Sequence, residues 1–197
     1  EVYGDPLVHP QPETYWGNVS CTGPRACYDE SKRVGETLAS IFAQQFDVPV
    51  KVGRPFNVFG PIQNLDDKRI FPDFLSATLD KRQISILSDG RATRSFCYVS
   101  DAVTAILLIL LAGRQGEAYN LGNDQREISV NELAQLFVAL EADHAGIVSA
   151  KSADQDYETD NPQRRKPDLE KIRRELGYRP LIDLEAGILR TLAAYRS

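Results

Sequence analysis

The sequence predicts an α/β fold with parallel strand pairing, on three observations. Short runs rich in β-branched residues alternate with amphipathic helical stretches, the arrangement that builds parallel sheets. Hydrophobic residues make up 42% of the 197 and charged residues 26%, as in an ordinary globular protein able to bury a substantial core. The longest apolar run, AVTAILLILLA at 102–112, is too short to span a bilayer and reads as a buried helix.

The elements follow in order. The chain opens EVYGDP, which looks like a strand end breaking into a turn at Gly4 and Pro6. Residues 6–24 are rich in Pro, Gly, Asn, Thr and Ser and predict a long ordered loop. A helix over 26–46 comes next. At ~100° per residue, Val34, Leu38, Ile41 and Phe42 fall on one stripe, with Tyr28 and Lys32 on a line beside it. VPVKVGR is a short strand and NVFGP a turn after it; residues 69–79 predict a helix with Pro72 in its first turn. ISIL and RATRSFCYV read as two strands separated by an Asp89-Gly90 turn signal, followed by the helix at about 101–112. EAYNLG gives a strand, and Ser129 caps a helix running to about 140, with Glu132 completing a capping box. HAGIVSA reads as a short strand and 151–167 as polar loop. Helices over 168–176 and 183–196 close the chain, the first ending at Gly177. There is no internal repeat and no Gly-rich loop of the G-x-x-G-x-x-G type behind a strand.

Charge and cysteine usage exclude several function classes. A net charge of −5 argues against a general nucleic-acid or membrane-surface binder. An anionic ligand must therefore rely on local basic groups, at Lys51/Arg54, Lys68/Arg69, Arg91/Arg94 and Arg164/Arg165/Lys166. Cys21, Cys27 and Cys97 are odd in number and lack C-x-x-C spacing, which fits free thiols in a reducing cytoplasm. With only His9 and His144 and no H-E-x-x-H, no metal site is expected. The acidic run Asp154, Asp156, Glu158, Asp160 lacks the Gly and terminal Glu of a calcium loop and reads as a solvated loop.

The sharpest chemical feature is CYDESK, which puts Tyr28 and Lys32 at i, i+4 on one helical face. A tyrosine, ordinarily with a pKa of ~10, is a poor base near neutrality. A lysine one turn away stabilises the phenolate and makes the pair a plausible acceptor for an alcohol proton. Taken alone, the same spacing also describes an ordinary Tyr/Lys pair on a solvated helix.

The ordered segments EVYGDP, GPRACYDESKRVGET, GRPFNVFGP, TRSFCYVSDAV and YNLGN resemble the extended short-chain dehydrogenase/reductase superfamily, with its nucleotide-sugar epimerases, dehydratases and decarboxylases. Within it, YWGNV…GPRACYDESKRVGET and RRKPDLEKIRRELGY look most like UDP-glucuronate decarboxylases. The resemblance covers the chain as the C-terminal part of such an enzyme. It implies an extended Rossmann-type fold with a small α/β substrate-binding domain and without the N-terminal Gly-rich βαβ half. Residues 1–60 and 96–122 would be the remaining NAD-binding part, and 61–95 with 123–197 the nucleotide-sugar-binding part.

The same resemblance implies roles for particular residues. Tyr28 is the catalytic base and Lys32 its partner, both holding NAD. Glu1 is a carboxylate facing the sugar, though on its own it also reads as a solvated terminal group. Asn57 lies near the sugar and diphosphate; its bland alternative is a turn-forming residue before Gly60-Pro61. Arg94 pairs with the UDP diphosphate, a task suited to a guanidinium. Arg165 reaches the substrate carboxylate, although three consecutive basic residues also describe a solvated face. The implied partners are a UDP-sugar and a second copy packed through the Tyr28 helix, with no nucleic acid or membrane. VSCTGPR and KRIFPDF depart from the commonest decarboxylase wording. A 4,6-dehydratase and a 4-epimerase stay open as alternatives, as does a non-catalytic nucleotide-sugar-binding protein, and this chain by itself is expected to be inactive.

Overall fold

The computed structural model describes residues 1–67, 69–150 and 162–197. Lys68 and the acidic run from Asp154 to Asp160 lie outside the described residues.

The first helix, α1 (Ala26–Gln45), leads into strand β1 (Val52–Pro55), which pairs in parallel with β6 (Ala118–Leu121). Helix α3 (Val99–Ala112) connects back to this pair, and α5 (Glu170–Leu176) packs beside it. The parallel pairing expected from helix–strand alternation recurs twice. Strand β2 (Val58–Phe59) pairs with β5 (Cys97–Tyr98), and β3 (Ile84–Ile86) with β8 (Ile147–Ser149). The last sheet is mixed: β4 (Thr93–Arg94) lies between β7 (Ile128–Ser129), antiparallel, and β9 (Arg164–Arg165), parallel. Gly90 makes the expected turn with φ +72, but β3 and β4 are not partners; each pairs elsewhere.

Two apolar clusters hold these layers. One gathers Phe59, Phe71, Phe74, Phe96 and Phe137 with residues of α2 (Ile70–Leu79), α4 (Val130–Leu140) and α6 (Leu184–Arg196). Its ring centroids lie 4.3–6.4 Å apart in tilted and edge-on pairs, each adding about 0.5–1.5 kcal/mol beyond area burial. The other, with Ala105, Ile109, Tyr119, Leu121, Leu169 and Ile172, fills the space between β6, α3 and α5.

Helix signals in the sequence match the ends observed. Ser129 and Glu132 form the full capping box of α4, and Gly177 closes α5 in the left-handed conformation. Helix α3 departs from its expectation. Asp101, Ala102, Ala105 and Ile109 are buried, whereas Val103, Ile106, Leu107, Leu110 and Leu111 are exposed. An all-round apolar helix reads as buried, but the described residues cover only one of its faces.

Candidate active site

The N-terminal turn of α1, the end of β1 and strand β9 surround a cleft of about 420 Å³. Glu1, Tyr28, Lys32, Asn57 and Arg165 all line it. Tyr28 and Lys32 stand one turn apart, as their spacing requires, with the Lys32 ammonium 5.2 Å from the Tyr28 ring centroid. Tyr28 is 52% exposed, so its hydroxyl is open to a ligand.

Glu1 is tied on both oxygens. Arg25 Nη2 donates to its Oε1 at 2.8 Å and Arg165 Nη2 to its Oε2 at 2.6 Å. Burial opposes the charge of this carboxylate, but the guanidiniums of Arg165 and Arg25 favour it, and its pKa lies below the ordinary value. Arg25 occupies the N-cap position of α1 and makes no cap bond with its side chain, which goes to Glu1 instead. One turn on, Asp29 is buried, and its Oδ1 has no hydrogen-bond partner. Burial, and then the charge of Glu1, push its pKa up.

Arg165 reaches the cleft because β9 is held from two sides. Its register sets Arg94 opposite Arg165. Gln11, fully buried, accepts from Lys166 N at 2.9 Å through its side chain and donates from its own backbone to Lys166 O at 3.0 Å. Arg94 lies behind the cleft rather than on its wall. It is 5% exposed, donates to Thr93 O at 2.8 Å, and lines a smaller neighbouring cavity with Ile70, Phe74, Ser85 and Leu87. Burial, then the charge of Arg165, push its pKa down to about 10. Asn57 takes φ +39, a left-handed conformation that asparagine tolerates, and its amide donates to Ser95 O at 2.9 Å.

The structure therefore gathers Glu1, Tyr28, Lys32, Asn57 and Arg165 on one cleft, with Arg94 beside it. Sequence reasoning missed Arg25, Asp29 and Gln11. Arg25 and Asp29 sit in the same GPRACYDESK segment, one turn apart around Tyr28, and that spacing was a usable signal. Gln11 carries no local signal for this role, because Lys166 and Asn120, which it ties to the loop, lie more than 100 residues away. Among the described residues no group of three or more His, Cys, Asp or Glu side chains is arranged to hold a metal.

The model of the NAD dependent epimerase/dehydratase family matches residues 1–122. The chain belongs to that family. UDP-glucuronic acid decarboxylase 1 of Xenopus tropicalis is 43% identical over 196 residues, covering 100% of this chain and 45% of the relative. UDP-glucuronic acid decarboxylase 1 of Arabidopsis thaliana is 41% identical over 197 residues, covering 100% of this chain and 44% of the relative. The chain thus spans about half the length of the curated relatives it matches. Among solved structures, UDP-glucose 4-epimerase of Thermotoga maritima, bound to UDP-glucose, superposes with TM-score 0.85 at 28% identity. The match covers 98% of this chain and 60% of that one. A dTDP-glucose 4,6-dehydratase of Streptomyces venezuelae, with NAD bound, gives 0.84 at 26%, covering 100% and 57%. The epimerase/dehydratase fold expected from the sequence is therefore present over nearly the whole chain.

Proposed function

We propose that this family member is an NAD-dependent decarboxylase that converts UDP-glucuronate to UDP-xylose through a 4-keto sugar. One observation carries the reading: Arg165 holds a carboxylate, that of Glu1, at the wall of the Tyr28–Lys32 cleft. A guanidinium that pairs with one carboxylate there is suited to take another, the C6 carboxylate of the sugar. Relatives 40–43% identical over 95–100% of the chain carry the matching name.

The cleft also fits a nicotinamide ribose. Tyr28 and Lys32 line it, and at Gly35 between them and Glu36 an added Cβ has nothing within 4 Å. NAD, when bound, supplies the hydride acceptor for C4 and later returns the hydride. The Lys32 ammonium stabilises the phenolate form of Tyr28, whose Oη takes the proton of the C4 hydroxyl and becomes the neutral phenol. Arg165 holds the C6 carboxylate while CO₂ leaves the resulting β-keto acid. The electron pair passes to the enolate, which is reprotonated at C5, with Glu1 handling protons on that face. Asn57 and Arg94 serve the sugar and the diphosphate; Arg25, Arg94 and Arg165 gather near Glu1 and Asp5, and these guanidiniums are the groups that would meet an anionic ligand.

The reading extends to the molecule. Residues 1–60 and 96–122 serve the cofactor side and 61–95 with 123–197 the nucleotide-sugar side, with α5 packed on β6 where the parts meet; both apolar clusters draw residues from each part. No helix among the described residues is long and apolar enough to cross a membrane. We assign the enzyme to the cytoplasm and to a homodimer formed through α1.

The test is turnover of UDP-glucuronate with NAD⁺, in protein expressed from its full reading frame. CO₂ and a UDP-pentose are the expected products. Tyr28→Phe should lower kcat by about 10²–10⁴-fold. Loss of water without CO₂ would assign a dehydratase, inversion at C4 an epimerase, and ligand binding without turnover a non-catalytic protein; any of these sinks the decarboxylase reading.

A further inference from the structure

We propose that Arg54 is a positioning residue that leaves Lys32 open to Tyr28, by holding the carboxylate that would otherwise capture it. The inference rests on the reading of Tyr28 and Lys32 as the proton-handling pair.

Arg54, on β1, grips Glu36 of α1 with both arms of its fork. Its Nε donates to Glu36 Oε1 at 2.8 Å and its Nη2 to Oε2 at 2.6 Å. The same guanidinium is fixed from the other side: Nη1 donates to Tyr3 Oη at 2.7 Å and to Glu13 O at 3.2 Å, and the group lies 5.0 Å from the Tyr3 ring centroid. The pair is mostly shielded, with side chains 15% and 23% exposed.

Glu36 follows Lys32 by one helical turn, as Lys32 follows Tyr28, and all three line the same cleft. Besides the buried Asp29 at i−3, Lys32 therefore has two possible anionic neighbours on its own helix, a phenolate at i−4 and a carboxylate at i+4. In the structure it stands over the Tyr28 ring at 5.2 Å and makes no ion pair with any described residue, while Glu36 is committed to β1. Magnitudes decide the competition. A surface Lys–Glu pair at i, i+4 is worth about 0.2–0.5 kcal/mol. A charge-assisted hydrogen bond contributes about 1.5–3 kcal/mol, and Arg54 makes two to the same carboxylate. Without Arg54, Glu36 keeps a half-buried charge; of the two cations one turn back on its helix, Arg33 is committed to Glu30 and to the carbonyls of Val2 and Trp16, which leaves Lys32.

The other charged groups near Tyr28 are Arg25, 6.0 Å from its ring centroid, Asp29 beside it on α1, Arg69 before α2, and Glu1 and Arg165 across the cleft. Arg25 and Arg165 are committed to Glu1 and Arg69 to Asp67, so none of the three replaces Arg54 as the partner of Glu36.

The experiment is a tyrosinate absorption titration in protein expressed from its full reading frame, read in each background as the difference from the same protein carrying Tyr28→Phe. Arg54→Met should move the Tyr28 absorption to higher pH, because a competing carboxylate draws Lys32 away. Adding Glu36→Gln should return it. In a Lys32→Met background, Arg54→Met should have no effect. Arg54→Lys keeps a cation but loses the fork, so it should shift the absorption the same way by less; it also serves if methionine at 54 prevents folding. A shift that persists in the Lys32→Met background belongs to the charge of Arg54 itself and overturns the proposal. So does a shift that Glu36→Gln leaves in place, or no shift in either Arg54 variant. The titration needs no substrate, so it stays decisive even if UDP-glucuronate is not turned over.

Discussion

Asp29 is the residue whose energetics run against the rest of the site. It lies buried with one oxygen unpartnered, and burial and the charge of Glu1 raise its pKa. The folded chain then keeps this proton at pH values where an unfolded aspartate, with a pKa of ~3.9, has lost it. Its contribution to stability is therefore full below that value and falls as pH rises through the folded pKa. Asp29→Asn removes the titration. The melting temperature of the variant should exceed that of the wild type more at pH 7 than at pH 4; an equal difference at both would refute the assignment. The site was partly legible at this scale. Tyr28 and Lys32 follow from helical spacing, whereas the clamp on Glu1 joins residues 24 and 164 positions apart, which no local pattern encodes.

At the scale of elements, the site depends on a loop more than on a helix. The segment before α1 looks irregular in sequence, yet Gln11 within it fixes the strand that carries Arg165. Its side chain donates to Val8 O at 2.7 Å and accepts from Lys166 N at 2.9 Å, and its backbone carbonyl accepts from Asp168 N and from Asn120 Nδ2, each at 2.9 Å. Gln11→Ala leaves the partly buried Lys166 amide without its acceptor and should cost about 1–3 kcal/mol in urea unfolding. It should also raise KM for UDP-glucuronate more than it lowers kcat, since it loosens Arg165 and leaves Tyr28 in place. A kcat loss at unchanged KM would contradict this. Helices α1, α2, α4, α5 and α6 fall within two residues of their expected ends, because caps, prolines and apolar periodicity are local signals. The partners of the short strands were not legible: β4 takes one neighbour from residue 128 onward and another from residue 164 onward.

At the scale of the molecule, two apolar surfaces remain uncovered by the described residues. Helix α1 presents Val34, Leu38, Ile41, Phe42 and Phe46, with the last two rings 5.3 Å apart, and α3 presents Val103, Ile106, Leu107, Leu110 and Leu111. Periodicity announced the α1 stripe but could not say what covers it, since a core and an interface share the same pattern. The lengths favour α1 over α3 as the face of the homodimer proposed above. Its 20 residues run about 30 Å, enough to approach the roughly 800 Å² per partner that a stable dimer buries, whereas α3 has 14. The Tyr28–Lys32 line lies beside this stripe, so pairing through α1 would also stiffen the helix that carries the proton-handling groups. Phe42→Glu puts a charge in the middle of the proposed contact. In sedimentation velocity it should convert dimer to monomer at micromolar concentration, while Leu110→Glu on α3 should leave the dimer intact. Should Leu110→Glu alone dissociate the protein, the interface belongs to α3, and α1 carries its apolar stripe for some other contact.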